Sequence, residues 1–353
     1  MRAFVLTGYG DYDALRYRSD VKRPDVSPHE VLVKVRASTV NNTDIATRTA
    51  WYHQDREEPG RNPELTFPRI QGAGASGTIE TVGEGVIGLA HGQPVVVDPF
   101  LRDPARPPHA QLRTLLGKGR DGGFAEYLTV PAEYALPVDR SCTLTFAELA
   151  CLPAAYQTAE EMQLRADVNS TQRVLVTGAS GGVGLANVEL AAMRGATVVA
   201  VASAAKHEEV RARGAHHVIE READLVGELR RTVGEKQLHV ILDVVGGPSF
   251  PAMLSNLEPG GHYVAAGAIA GPLVKLDLRE LIYADLRMTG QATARPEALQ
   301  NLVRYAEAGV LRPRIAAIYP LGELIEAQRA FVNKAYVGKI VIDVDRAESP
   351  ICS

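Results

Sequence analysis

The sequence predicts an α/β protein in two parts: a small barrel or curled β-sheet, then a doubly wound parallel sheet. Three observations carry this prediction. Short runs of period-two alternation, punctuated by glycine and proline, fill residues 1 to about 140. From about 151 the rhythm becomes strand, helix, strand, helix. Where that rhythm begins, an apolar strand runs into a glycine-rich turn and a helical pattern, Arg173-Val-Leu-Val-Thr-Gly-Ala-Ser-Gly-Gly-Val-Gly184.

The elements follow in chain order. Met1-Arg-Ala-Phe-Val-Leu-Thr7 reads as a strand, because it lacks the long apolar region and cleavage site of a signal peptide. Glu30-Val-Leu-Val-Lys-Val-Arg36 and Gly77-Thr-Ile-Glu-Thr-Val82 alternate with period two. Gly83, Gly85, Gly88, Gly92 and Pro94 supply the tight turns after them. His53 to Phe67 is polar and loop-like. Leu101 to Gly123 is basic, with Arg102, Arg106, Arg113, Lys118 and Arg120; a solvated surface loop is the ordinary reading, and contact with an acidic substrate the weaker one. In the second part, strands read at 173–177, 197–202, 216–219, 238–243 and 261–266, with helices at 182–194, 205–213, 223–232 and 248–256. Leu286-Arg-Met-Thr-Gly290 reads as a short edge strand. Helices then read from Pro296 to Ala308 and over 322–334, before a terminal strand, Gly338-Lys-Ile-Val-Ile-Asp343. The tail from Arg346 is expected to fray.

Composition narrows the class. The chain has 353 residues, enough for two domains, and 46% are hydrophobic, ample for packed cores. The net charge of −4 gives no basic field for nucleic acid or a membrane surface. Cys142, Cys151 and Cys352 are too few and too scattered for a disulfide framework. No apolar run is long enough to span a bilayer. A cytoplasmic enzyme is the expectation.

The glycine turn predicts a dinucleotide site. Its glycines let backbone approach a pyrophosphate, and the helix starting near Gly182 offers unpaired N–H groups to that anion. Ser180, Gly181, Gly182 and Val183 are therefore expected to contact it. The end of the second strand should read the ribose, and there the chain has Ala202-Ser-Ala-Ala-Lys206 with no carboxylate until Glu208. Ser203, Lys206 and Arg221 suit a 2′-phosphate, since cations pair with phosphate where an acid would repel it. NADP(H) is thus favoured over NAD(H). The competing reading makes Lys206 and Arg221 ordinary solvated charges.

Taken in order, six segments give the chain a family likeness. They are Val40-Asn-Asn-Thr-Asp44, Gly77-Thr-Ile-Glu-Thr-Val-Gly83, Gly122-Gly-Phe-Ala-Glu-Tyr127, the glycine turn, Asp243-Val-Val-Gly246 and Gly338-Lys-Ile-Val341. Over nearly its whole length the chain resembles the medium-chain dehydrogenase/reductase superfamily, and in detail its zinc-free quinone oxidoreductase-like branch. The resemblance implies a GroES-like β-barrel catalytic domain with a Rossmann dinucleotide domain inserted in it. The corresponding boundaries are 1–150, 151–288 and 289–353.

The departures concern metal. Zinc alcohol dehydrogenases of this superfamily use a cysteine, a Gly-His-Glu segment and a later cysteine or acid. The first position here is Asn41, and the Gly-His-Glu segment reads Gly72-Ala73-Gly74. Cys151 alone makes no zinc site, because zinc needs three protein ligands even in an open site. The region of the structural-zinc lobe, 101–123, has no cysteine, and the nine histidines show no ligating spacing. No metal is expected.

The resemblance also implies site residues. Asn41 matches a family asparagine beside the nicotinamide; capping a turn is its bland alternative. Asp44 fits the family pattern three residues on and joins Asn41 and Tyr52 as a candidate catalytic residue; a helix-start carboxylate satisfying N–H groups would explain it equally well. Tyr52 falls where related reductases place a substrate-facing tyrosine, whose phenol could donate to an enolate; a half-exposed loop aromatic is the alternative. Thr158 matches a position near the nicotinamide ribose or carboxamide, or is simply a helix-start hydroxyl. Val245, Ala266, Gly267 and Ala268 should line the nicotinamide crevice at the carboxyl edge of the sheet. Lys339 matches a C-terminal position near the cofactor, against the plainer reading of a strand-edge lysine in solvent.

The expected activity is NADPH-dependent, zinc-independent hydride transfer to a conjugated carbonyl, an enone or a quinone. Charge then spreads onto an oxygen that needs hydrogen bonds rather than a Lewis acid. A zinc-free carbonyl or alcohol oxidoreductase in a biosynthetic pathway is the rival enzyme. A non-catalytic NADPH-binding protein is the rival of another class. The partner is a small molecule, with neither nucleic acid nor membrane, and a homodimer is the family expectation.

Overall fold

A computed structural model describes residues 1–53, 65–103, 105 and 112–346. Much of the polar segment read as a loop between His53 and Phe67 lies outside them, as do Arg106, His109 and the tail beyond Arg346; the Arg113 side chain is likewise not described. The chain forms two compact units. One comprises Met1–Ala155, Leu299–Ala335 and the final strand from Lys339; the other comprises Tyr156–Ala298 with residues 336–338.

The first unit is organised by the strand Glu30–Thr39. It pairs antiparallel with Gly74–Val82 on one side and Lys339–Asp343 on the other, and at its start with Tyr127–Pro131. Pro94–Val97 and Ala135–Pro137 extend the sheet beyond Gly74–Val82, and Ile315–Pro320 extends it beyond Lys339–Asp343. Alternation predicts a strand ending at Arg36; it runs three residues further because Thr39 pairs with both Gly74 and Val341. Its polar end is satisfied internally: Ser38 Oγ donates to Gly74 O at 2.7 Å. Val31, Val33, Val35, Ile79, Val95, Val97, Leu128, Val130, Ile340 and Ile342 make the buried face. This pairing places the C-terminal strand beside Asn41, a neighbour no local pattern reveals.

The second unit holds a six-stranded parallel sheet. Its order is His217–Glu220, Thr197–Ala202, Arg173–Val176, Leu238–Asp243, Leu257–Ala265, Arg287–Gly290. Both faces are covered. Val174 and Val176 pack in one core with Met162, Leu185 and Val188; Leu175 packs in the other with Ile241, Phe250 and Met253. Strands buried on both sides read as continuous apolar runs, as these do. The helix Gly182–Met193 differs from the expected one-sided stripe: every residue from Gly184 to Leu190 is buried. Small residues allow this, since a Cβ on Gly184 would overlap Gly178 O. The predicted 205–213 helix opens as a 3-10 turn, Ala204–Lys206, before its α-helical part, His207–Ala212. The 248–256 helix shortens to Phe250–Leu254. Among the described residues no helix is long and apolar enough to cross a membrane.

Candidate active site

The dinucleotide turn sits at the carboxyl end of Arg173–Val176, where the strand order reverses and such sheets bind ligands. Gly178 adopts φ +56°, in the region that favours glycine. Gly181 N–H donates to Gly178 O at 2.9 Å, and Gly181 is the N-cap of the helix that follows. The N–H groups of Gly182, Val183 and Gly184 lie in that helix's first turn, where no intrahelical acceptor exists. A Cβ at Gly181 would meet nothing closer than Gly178 O at 3.4 Å, so this side of the turn has room for an anion. Ser180 O accepts from Gly338 N–H at 3.0 Å, which ties the turn to residues 336–338.

The residues expected to read the ribose gather at the same edge. Lys206 Nζ lies 3.5 Å from Ser180 Oγ, and Arg221 N–H donates to Ala202 O at 3.1 Å. Burial lowers the Lys206 pKa, and the nearby Arg221 charge lowers it further. A partly buried cation with a second cation nearby suits a ligand that brings negative charge. The Arg221 guanidinium is exposed and also meets Glu222 at 2.9 Å. Ser203 is the N-cap of the Ala204–Lys206 turn. Sequence reading missed Glu220, which pairs with Ala202 in register and stands 3.6 Å from His207 Nε2.

Next to the turn, Asp243 organises the backbone that follows its strand. Its carboxylate accepts from Thr177 Oγ1, the Tyr263 hydroxyl, and the N–H groups of Val245 (2.8 Å) and Gly246 (3.0 Å). Ala266 N–H donates to Asp243 O, and Ala270 N–H to Val245 O. A Cβ on Gly267 would sit 2.7 Å from Val244 O, so glycine is needed for this close approach. Val245, Ala266, Gly267 and Ala268 are thus brought together. Thr158 is the second residue of the helix Gln157–Ala166, and its carbonyl accepts from Gln291 Nε2 at 2.9 Å.

In the first unit, Asn41, Asp44, Tyr52 and Lys339 cluster around the start of the helix Asn42–Arg48. Lys339 is buried, contrary to its reading as a solvent-exposed edge lysine: its strand lies inside the sheet, between Glu30–Thr39 and Ile315–Pro320. Its Nζ donates to Asn41 Oδ1 at 2.6 Å and to Val40 O at 2.9 Å. Burial pulls its pKa down to about 8, opposed by Cys151 and Asp44. Asn41 Nδ2 lies 2.9 Å from Thr39 O, so both ends of the amide are held by the chain. Asp44 is buried and accepts from the N–H groups of Asn41 (2.8 Å) and Gly72 (3.2 Å). Burial raises it to about 6 against these two bonds. Its oxygens thus hold backbone in place. Tyr52 is half-buried; its hydroxyl lies 3.4 Å from Thr43 Oγ1, and burial raises its pKa. Lys118 Nζ stands 3.6 Å from the centroid of the Tyr52 ring, a pairing across loops that sequence could not reveal.

Two family models match the chain: an alcohol dehydrogenase GroES-like domain over residues 27–140 and a zinc-binding dehydrogenase over 182–308. The chain is 29% identical to the quinone oxidoreductase of Lama guanicoe over 354 aligned positions, covering 97% of each chain. It is 41% identical to a solved structure from Sinorhizobium meliloti 1021 described as an alcohol dehydrogenase, with a TM-score of 0.90, covering 97% of this chain and 96% of that one. The chain belongs to the medium-chain dehydrogenase/reductase superfamily, in its quinone oxidoreductase-like branch. It is an oxidoreductase of that superfamily, and the family supports a pyridine nucleotide as its cofactor. A second solved relative, an NAD-dependent alcohol dehydrogenase, is 29% identical with a TM-score of 0.88, covering 98% of this chain and all of that one.

The positions at which zinc alcohol dehydrogenases of this superfamily hold metal carry other residues here. Gly72 keeps the glycine of the Gly-His-Glu segment, and the two positions that follow are Ala73 and Gly74, neither with a side chain that can ligate; a Cβ at Gly74 would meet Thr39 Oγ1 and Ala150 O. Asn41 is engaged by Lys339, and the Cys151 thiol lies 3.3 Å from Ala147 O. Among the described residues no group of three His, Cys, Asp or Glu could hold a metal ion. The residues present at these positions do not fit a catalytic zinc.

Proposed function

We propose that this oxidoreductase is an NADPH-dependent, zinc-independent reductase of a conjugated carbonyl, an enone or a quinone. The observation that carries the reading is the buried Lys339–Asn41 pair, a fixed cation standing where zinc relatives keep a ligand. The nicotinamide, when bound, supplies the hydride. Gly181, Gly182 and Val183 would hold the pyrophosphate, with Ser180, Ser203, Lys206 and Arg221 around the 2′-phosphate. Thr158, Val245, Ala266, Gly267 and Ala268 would hold the nicotinamide end. Lys339 fixes Asn41 and lends positive potential where the acceptor oxygen gains charge. The Tyr52 hydroxyl stays protonated at neutral pH, so it can donate to that oxygen. Asp44 would be a positioning residue, holding the backbone at Asn41 and Gly72. The same reading includes a homodimer that covers the exposed edge strand Arg287–Gly290.

Cofactor choice tests the reading directly. Lys206→Ala with Arg221→Ala should weaken NADPH about 10- to 100-fold, the size of one or two charge-assisted hydrogen bonds, and leave NADH nearly unchanged. Equal losses for both would remove the 2′-phosphate assignment. The solved relatives described as alcohol dehydrogenases favour a second reading, a zinc-free carbonyl or alcohol oxidoreductase. Alcohol oxidation with NADP⁺, faster than any enone or quinone reduction, would select it.

A further inference from the structure

Lys118 is a cation that the candidate site does not use. It lies in the turn after the strand Leu112–Leu115, where its N–H donates to Leu115 O at 3.0 Å and Gly117 N–H to Arg120 O at 2.7 Å. The turn packs tightly: Gly117 has φ +82°, and a Cβ there would lie 2.9 Å from Gly72 N. Lys118 is half-buried, with Nζ over the face of Tyr52. Among the described residues Nζ has neither a hydrogen-bond acceptor nor a carboxylate in ion-pair range. Of the cations nearby in sequence whose side chains are described, Arg120 pairs with Glu30 at 2.6 Å and Arg102 with Asp98 at 2.9 Å. Asp44 acts on Lys118 only through space and spends its oxygens on two backbone N–H groups.

A desolvated ammonium with no counter-ion among the described residues is costly, and an aromatic face offsets only part of that cost. Burial accordingly lowers the Lys118 pKa to about 8. An anion brought by the ligand would complete the site. One ammonium matches one carboxylate; a dianionic phosphate calls for several donors, and among the described residues Arg102 and Arg120 are already engaged. We propose that Lys118 is a specificity-determining residue: the acceptor reduced here carries a carboxylate, which Nζ receives beside Tyr52. This rests on the reductase reading above and narrows its substrate class.

The test pairs an acid with its neutral twin: 4-phenyl-2-oxobut-3-enoate and its methyl ester. Each is titrated calorimetrically into the full-length protein saturated with NADP⁺, and each is offered as acceptor with NADPH. Wild type should bind the acid about tenfold tighter than the ester, as expected for one charge-assisted pair. Lys118→Met should bring the acid down to the ester's affinity and leave the ester and NADP⁺ unaffected; Lys118→Arg should retain the preference. Equal binding of acid and ester by wild type would overturn the proposal, as would a Lys118→Met variant that loses both alike. A preference without reduction of either compound would sink the reductase reading and leave the carboxylate assignment standing. Reduction of both without a preference would do the reverse.

Discussion

At the residue scale, the first unit carries buried charges that cost stability. Asp44 is raised to about 6, above the ordinary 3.8 of an unfolded aspartate. Its protonated form is therefore favoured by folding. This contribution is fully present below 3.8 and is lost as pH rises through about 6, a change of about 3 kcal/mol. Urea unfolding between pH 4 and 7 should show that slope in wild type and a flatter one in Asp44→Asn. Lys339 is the mirror case, with burial favouring its neutral form. Lys339→Met removes two hydrogen bonds but also a desolvated charge, so stability at pH 7 should change by only about 1 kcal/mol. Its turnover should fall far more, which a merely structural lysine would not produce. Tyr52→Phe should lower kcat on the order of a hundredfold with little change in KM.

The element scale shows what local sequence could and could not give. Strand, turn and helix around Gly178–Gly184 were legible because each conformation is dictated by nearby residues: β-branched before, glycine within, apolar after. The alternation in Glu30–Arg36 was legible for the same reason, though not the extra residues to Thr39, whose pairing depends on a distant strand. Lys339 looked like an edge lysine because its run names no neighbours; burial came from Ile315–Pro320 on its outer side. Asp243 stood within a recognised motif, yet its role required Thr177, just past the end of one strand, and Tyr263 from another. Lys118 and Tyr52 meet only in three dimensions. The glycine turn yields a paired prediction. Gly184→Ala forces a Cβ onto Gly178 O and should lower the melting temperature. Gly181→Ala meets only the 3.4 Å contact, so it should fold normally. It should weaken the dinucleotide instead, by crowding the pyrophosphate rather than the protein.

At the scale of the whole molecule, the fold class follows from composition and rhythm, while assembly and chemistry depend on surfaces. The outermost strand, Arg287–Gly290, pairs on one side only, and Leu273, Ile282, Tyr283 and Met288 are exposed. An apolar surface beside an unpaired strand edge suits a second copy of the chain. Light scattering should report a dimer, and Leu273→Asp with Tyr283→Asp should yield a monomer that still binds NADPH. A monomeric wild type would remove the homodimer from the account. The central claim remains hydride transfer from NADPH without zinc, and it is tested most directly by NADPH consumption against enones and quinones in the presence of a strong chelator. The account predicts turnover that the chelator leaves unchanged. Turnover abolished by the chelator and restored by zinc would contradict it.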